Sequence, residues 1–176
     1  VTIEGAGAAG VSVTLSSGVS VTTDANGAYA FSGVAAGAYT VSISGFAADA
    51  AFASSAKAAT ISTAGQVATV NFEGSYVRTS AIFGSVAGGG VGLAGVSVGI
   101  GSASTTTDTN GQYSFTGLRA GSYTVTISGL PTGYTFGTTS MSVTVGVGES
   151  KTAAFSGTLM TTASISGRMF LDENDK

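Results

Sequence analysis

The feature that most restricts this chain is an internal repeat. Residues 22–45, TTDANGAYAFSGVAAGAYTVSISG, and residues 106–129, TTDTNGQYSFTGLRAGSYTVTISG, are identical at 16 of 24 paired positions. Such self-similarity means one folding unit used more than once, each copy with its own core. Asp24 and Asp108 stand 84 residues apart, Gly10-Val11-Ser12-Val13 and Gly95-Val96-Ser97-Val98 stand 85 apart, and Phe72 and Phe155 stand 83 apart. Drifts of one residue confined to loops are what a duplicated domain shows. Ile165-Ser166-Gly167 repeats the frame of Ile82-Phe83-Gly84, so a third copy opens near the end. The expected organisation is one repeat over residues 1–79 with a shortened first strand, a second over 80–162, and the first strand of a third over 163–176. Both ends read as cuts through a longer array.

Within each copy the apolar residues alternate. Val96, Val98 and Ile100 face one way while Ser97 and Gly99 face the other. Tyr113/Phe115, Tyr123/Val125/Ile127 and Val143/Val145 repeat the pattern, and the first copy follows with Val11/Val13/Leu15, Tyr29/Phe31, Tyr39/Val41/Ile43 and Val70/Phe72. A period of two with small polar residues between describes antiparallel strands with one buried and one wet face. About seven strands per copy, with turn signals every 8–12 residues, indicate a β-sandwich. The fold class expected is therefore all-β, as tandem antiparallel sandwiches.

Composition narrows the chemistry. His and Cys are both zero among 176 residues, which removes the Ser-His-Asp triad, the thiol nucleophile, the imidazole base and the ordinary zinc site. Carboxylate pairs, or a hydroxyl helped by Lys, are all that remains, and no enzyme is expected. The six basic residues, Lys57, Arg78, Arg119, Lys151, Arg168 and Lys176, are scattered and the net charge is −3, so no clustered basic face exists for nucleic acid. No apolar run approaches the roughly 20 residues that span a bilayer. No Asn-x-Ser/Thr sequon occurs either, so any glycan would be O-linked.

The repeated turn carries the first candidate site. Asp24, Asn26 and Gly27, and again Asp108, Asn110 and Gly111, lie between two strand patterns. Asn-Gly tolerates positive φ and the Asp side chain bonds to nearby amides, so a register-fixing hairpin turn is the expectation. Calcium asks for six to eight oxygens, and each loop offers one carboxylate and one Asn. In the next turn, Val34 and Leu118 are expected to plug the sandwich end. Arg119 has no counterpart in the first copy and reads as a solvated surface charge. Tyr76, Tyr134 and Phe136 fall outside the inward alternation and are the aromatics to weigh as an exposed sugar platform, against packing.

The order Gly-Val-x-Val, Thr-Thr-Asp-x-Asn-Gly-x-Tyr-x-Phe, then Gly-Leu-x-x-Gly-x-Tyr-Thr-Val resembles the transthyretin-like repeats. These include carboxypeptidase regulatory-like domains and the collagen-adhesin B-type (serine-aspartate-repeat protein B-like) repeats of bacterial surface proteins. The resemblance covers both copies and implies Ig-like (prealbumin-like) sandwiches used as stalk or spacer modules. Some members carry a Lys-to-Asn isopeptide bond from the first strand, but Ser80–Gly88 contains no Lys, so that bond is not expected. Other members bind calcium through an Asp-x-Asn-x-Asp-Gly loop. The terminal FLDENDK resembles its start, which makes Asp172, Asn174 and Asp175 a calcium candidate if the third repeat is complete. No other cofactor is expected.

Together these readings point to a structural spacer, stalk or fibre-forming repeat of a long extracellular or cell-surface protein. Its expected partners are neighbouring repeats of the same protein, with self-assembly by strand complementation between a shortened first repeat and the orphan strand near residues 164–171. The alternatives are an adhesive or carbohydrate-binding module, and an accessory domain of a secreted enzyme.

Overall fold

The structure is a computed structural model and describes residues 1–161 and 164–167. Those residues contain strands and no helix. The first repeat supplies β1 (Thr2–Ile3), β2 (Ala6–Gly7), β3 (Ser12–Leu15), β4 (Ser20–Thr22), β5 (Gly37–Ser44), β6 (Ala50–Phe52), β7 (Ala56–Ile61) and β8 (Glu73–Tyr76). They form two four-stranded sheets, ordered β2-β1-β8-β6 and β4-β3-β5-β7. Val1, Val11, Val13, Leu15, Val41, Ile43 and Phe72 make the buried core, with Tyr29, Phe31, Val34 and Val70 partly buried against it.

The second repeat supplies β9 (Ser80–Gly88), β10 (Val91–Gly92), β11 (Ser97–Ile100), β12 (Ala103–Thr106), β13 (Gln112–Leu118), β14 (Gly121–Ser128), β15 (Tyr134–Phe136), β16 (Ser140–Val145) and β17 (Ser150–Leu159). One sheet runs β12-β11-β14-β16, and the other runs β10-β9-β17-β15 with β13 paired to β9. Ile82, Val86, Val96, Val98, Val125, Val145 and Phe155 are all at most 1% exposed, so the inward positions of the alternation are the core. These are Ig-like antiparallel sandwiches, built because small outward Ser, Thr and Gly leave a wet face and branched apolar residues fill the dry one.

One pairing departs from the antiparallel pattern. β1 lies parallel to β8, Thr2 opposite Glu73 and Ile3 opposite Gly74. The second repeat has the matching bonds, Ala81 N–H to the carbonyl of Glu149 and Gly89 N–H to that of Gly157, advancing eight residues on both strands. Alternation reports which face is buried and is blind to strand direction, so this pairing was not legible in sequence.

By contact density the chain divides into two compact units. The first is Val1–Ile82 with Phe115–Ser122 and Thr144–Lys151; the second holds Phe83–Ser114, Tyr123–Val143 and the described residues from Thr152 on.

Candidate functional site

Both copies of the Asp-x-Asn-Gly turn have one geometry. Asp24 Oδ1 accepts the amides of Asn26 and Ala28, each at 2.8 Å, and Asp108 Oδ1 accepts those of Asn110 and Gln112, again at 2.8 Å. The amides of Gly27 and Gly111 donate to the carbonyls of Asp24 and Asp108 at 3.0 Å. Gly27 (φ 74°) and Gly111 (φ 75°) are left-handed, whereas Asn26 and Asn110 are not among the residues with positive φ. The expected hairpin is corrected: an Asn-Gly type I′ hairpin would make both residues left-handed whereas only the glycine is, and β12 and β13 on either side of the Asp108 turn pair into different sheets rather than with each other. Glycine is needed here for space as well, since a Cβ at Gly27 would collide with the Val1 carbonyl and one at Gly111 with the Val86 carbonyl. In each turn one carboxylate oxygen is already occupied by two amides, which suits a strut better than an ion ligand.

The hydroxyl before each Asp makes a second repeated device. Thr23 Oγ1 donates to the Ala8 carbonyl at 2.5 Å and accepts the Val11 amide at 2.9 Å. Thr107 Oγ1 donates to the Leu93 carbonyl at 2.6 Å and accepts the Val96 amide at 2.9 Å. Both threonines are 5% exposed, so each satisfies two backbone groups that water does not reach. Sequence reasoning passed over them; the shared Thr-Thr-Asp was the available signal.

A third device is a tyrosine clamp. Tyr113 donates its hydroxyl to the Ala153 carbonyl at 2.5 Å, and Tyr29 donates to the Val70 carbonyl at 2.6 Å. Burial pushes the Tyr113 phenol up to about 12 and raises that of Tyr29.

Charged residues cluster in the first compact unit. Arg119 Nε donates to Asp49 Oδ2 at 2.9 Å while its guanidinium carbon lies 3.1 Å from the centre of the Tyr76 ring. The Asp49 hydrogen bond raises the already high Arg119 pKa. Arg119 is at the surface as expected, its side chain 39% exposed, but it is not a lone charge: Asp49 is 7% exposed and takes Arg119 as its fixed counter-ion. Arg78 grips both carboxylate oxygens of Glu4, whose own pKa is lowered by that contact. Glu4 is held at φ 51°, in the position that Gly89 (φ 60°) takes in the second repeat.

The three aromatics weighed as a sugar platform are all half-buried. Tyr76 stacks on Arg119; Tyr134 covers Gly88 so closely that a Cβ there would enter its ring, and Phe136 covers Gly157 with 2.7 Å to such a Cβ. Small residues below and rings above make these packing contacts. Val34 packs on the core as well, and Leu118 is half-buried. Lys57 Nζ donates to the backbone carbonyl of Asn71 at 2.7 Å. Among the described residues no group of three or more His, Cys, Asp or Glu could hold a metal ion. Asp172, Asn174 and Asp175 lie outside the described residues.

Sandwich topology, the clamped turn and the matched order of motifs meet in the second repeat, where residues 84–169 match the model of the SdrD B-like domain family. No curated protein matches the chain. Among solved structures, the Bacillus anthracis TIE protein is similar with a TM-score of 0.70 at 19% identity, over 89% of this chain and 32% of that one. GBS52, the minor pilin of Streptococcus agalactiae, has a TM-score of 0.45 at 15% identity over 94% of this chain and 89% of its own. The shaft pilin SpaA of Lactobacillus rhamnosus GG has 0.40 at 13%, over 89% and 90%. Of these three, the first shows a shared fold. This chain spans about a third of the TIE protein's length. No helix among the described residues is long and apolar enough to cross a membrane.

Proposed function

We propose that the chain is a non-catalytic structural module, two successive SdrD B-like repeats serving as spacer, stalk or fibre segments of a longer extracellular surface protein. One observation carries the reading. Three polar positions that recur in both copies, Thr23/Thr107, Asp24/Asp108 and Tyr29/Tyr113, hydrogen-bond to the protein's own backbone. Repetition has kept what holds each sandwich closed.

The resemblance to bacterial surface repeats supports an extracellular location, and neighbouring repeats of the same protein are the natural partners. The test uses intact cells of the source organism. Antibodies raised against the chain should label their surface without permeabilisation, and the purified chain should be silent on glycan and matrix-protein arrays. Labelling only after permeabilisation, or saturable binding to one glycan or matrix protein, would replace this reading with an internal role or an adhesive one.

A further inference from the structure

The residues that follow β8 are pinned from three sides. Residues 77–79 form no strand. The Val77 amide donates to the Asp49 carbonyl at 2.6 Å, Arg78 grips Glu4, and the Tyr76 ring carries the Arg119 guanidinium that pairs with Asp49. All of these residues lie within the first compact unit, which takes in Phe115–Ser122, the segment that bears Arg119.

The second repeat reproduces the backbone of this arrangement and none of its charges. Ala50 faces Tyr76 across β6 and β8, and Tyr134 faces Leu159 across β15 and β17. In the same frame the Met160 amide donates to the Gly133 carbonyl at 2.7 Å, as Val77 does to Asp49. Asp49 therefore corresponds to Gly133, Tyr76 to Leu159, Arg78 to Thr161 and Glu4 to Gly89. Arg119, in turn, corresponds to Ala35. Two repeats that share 16 of 24 positions over their turns differ at all five of these side chains.

The difference has a chemical consequence. Asp49 is 7% exposed, so its carboxylate requires a partner held in place. Arg119 supplies one, with Nε at 2.9 Å, and lays its plane on the Tyr76 ring. An alanine at that position, as the first repeat has, can do neither.

We propose that Asp49 and Tyr76 form a socket that selects the turn it receives: a repeat with arginine at the position of Arg119 fits, and one with the alanine of Ala35 leaves Asp49 unpaired. Charge at this joint fixes which repeat follows which, on a backbone frame that both repeats share. The proposal deepens the spacer reading above and rests on it. Surface labelling and binding arrays do not depend on Arg119, so the two fail separately.

The test is hydrogen exchange read by mass spectrometry on the 176-residue chain and three variants. Arg119→Ala gives the second repeat the residue that the first carries. Peptides covering residues 46–50 and 74–79 should then exchange at least tenfold faster than in the parent, while those covering residues 97–106, in the second compact unit, should not change. Asp49→Ala should have a smaller effect on the same peptides, since the arginine it leaves behind can reach water. The double variant should exchange more slowly than Arg119→Ala, because no buried carboxylate is then left without a counter-ion. Parent-like exchange in Arg119→Ala overturns the proposal. So does a double variant that exchanges faster than Arg119→Ala, the result of two independent losses, and so does an equal rise over residues 97–106.

Discussion

The hydroxyl of Tyr113 donates to the carbonyl oxygen of Ala153 at 2.5 Å, tying β13 to β17 across 40 residues of chain. Gly84 lies against that same bond, so the clamp and the first strand of the repeat close on one another. Tyr113→Phe keeps the ring and removes the donor to a buried carbonyl. It should cost about 1–3 kcal/mol in denaturant unfolding. Tyr29→Phe removes the matching donor at a part-buried site and should cost less than Tyr113→Phe in the same measurement.

Alkaline pH should act through the same phenols. Both are raised by burial, Tyr113 from 10.0 to about 12. The unfolded chain releases its protons first, so the stability these groups contribute is complete below about pH 10 and is lost as pH climbs towards 12. Melting temperature against pH should be flat from 7 to 9 and fall above 10. In Tyr113→Phe that fall should be shallower, which a non-specific alkaline effect would not produce.

Thr107 is the sharper core test. Thr107→Val keeps the shape and leaves the Leu93 carbonyl and the Val96 amide without their buried partner, at about 2–4 kcal/mol for the two groups. Thr107→Ser should recover most of that loss, because the hydroxyl returns. Equal destabilisation by both would show that the methyl, not the hydrogen bonds, carries the effect.

How much of this was legible depends on what alternation encodes. Val11, Val13, Leu15, Val96, Val98 and Ile100 were readable as core from period two alone, and all are buried. Tyr29/Phe31 and Val70 have the same alternation, yet residues 28–34 and 67–71 form no strand. A strand needs a partner as well as a pattern: in the second repeat β13 pairs with β9, and residues 28–34 show no such pairing. The threonine pins escaped notice because composition cannot tell a buried hydroxyl from a wet one.

Arg119 shows the opposite failure. Its partners Asp49 and Tyr76 lie 70 and 43 residues away, and no local signal links them. Arg119→Ala should lower the melting temperature by leaving the Asp49 carboxylate without its counter-ion. Arg119→Lys should recover only part, since an ammonium keeps the charge and gives up the planar stack on Tyr76. Thermal unfolding of the three chains side by side decides it.

Gly111→Ala tests the turn directly. A side chain there meets both an unfavourable φ and the Val86 carbonyl, and should cost more than about 2 kcal/mol. Gly90→Ala, also left-handed but open around its Cβ, should cost only the conformational part. If the two substitutions are equally damaging, close approach to Val86 is not what holds glycine at this turn.

The claim that these repeats exist to hold themselves together is tested most directly by pulling on the chain. Single-molecule extension from residue 1 to residue 161 should show two separate unfolding events, each releasing about 260–290 Å of contour length for roughly 80 residues at 3.3–3.6 Å apiece. Smooth extension without force peaks would contradict a structural role for the two sandwiches.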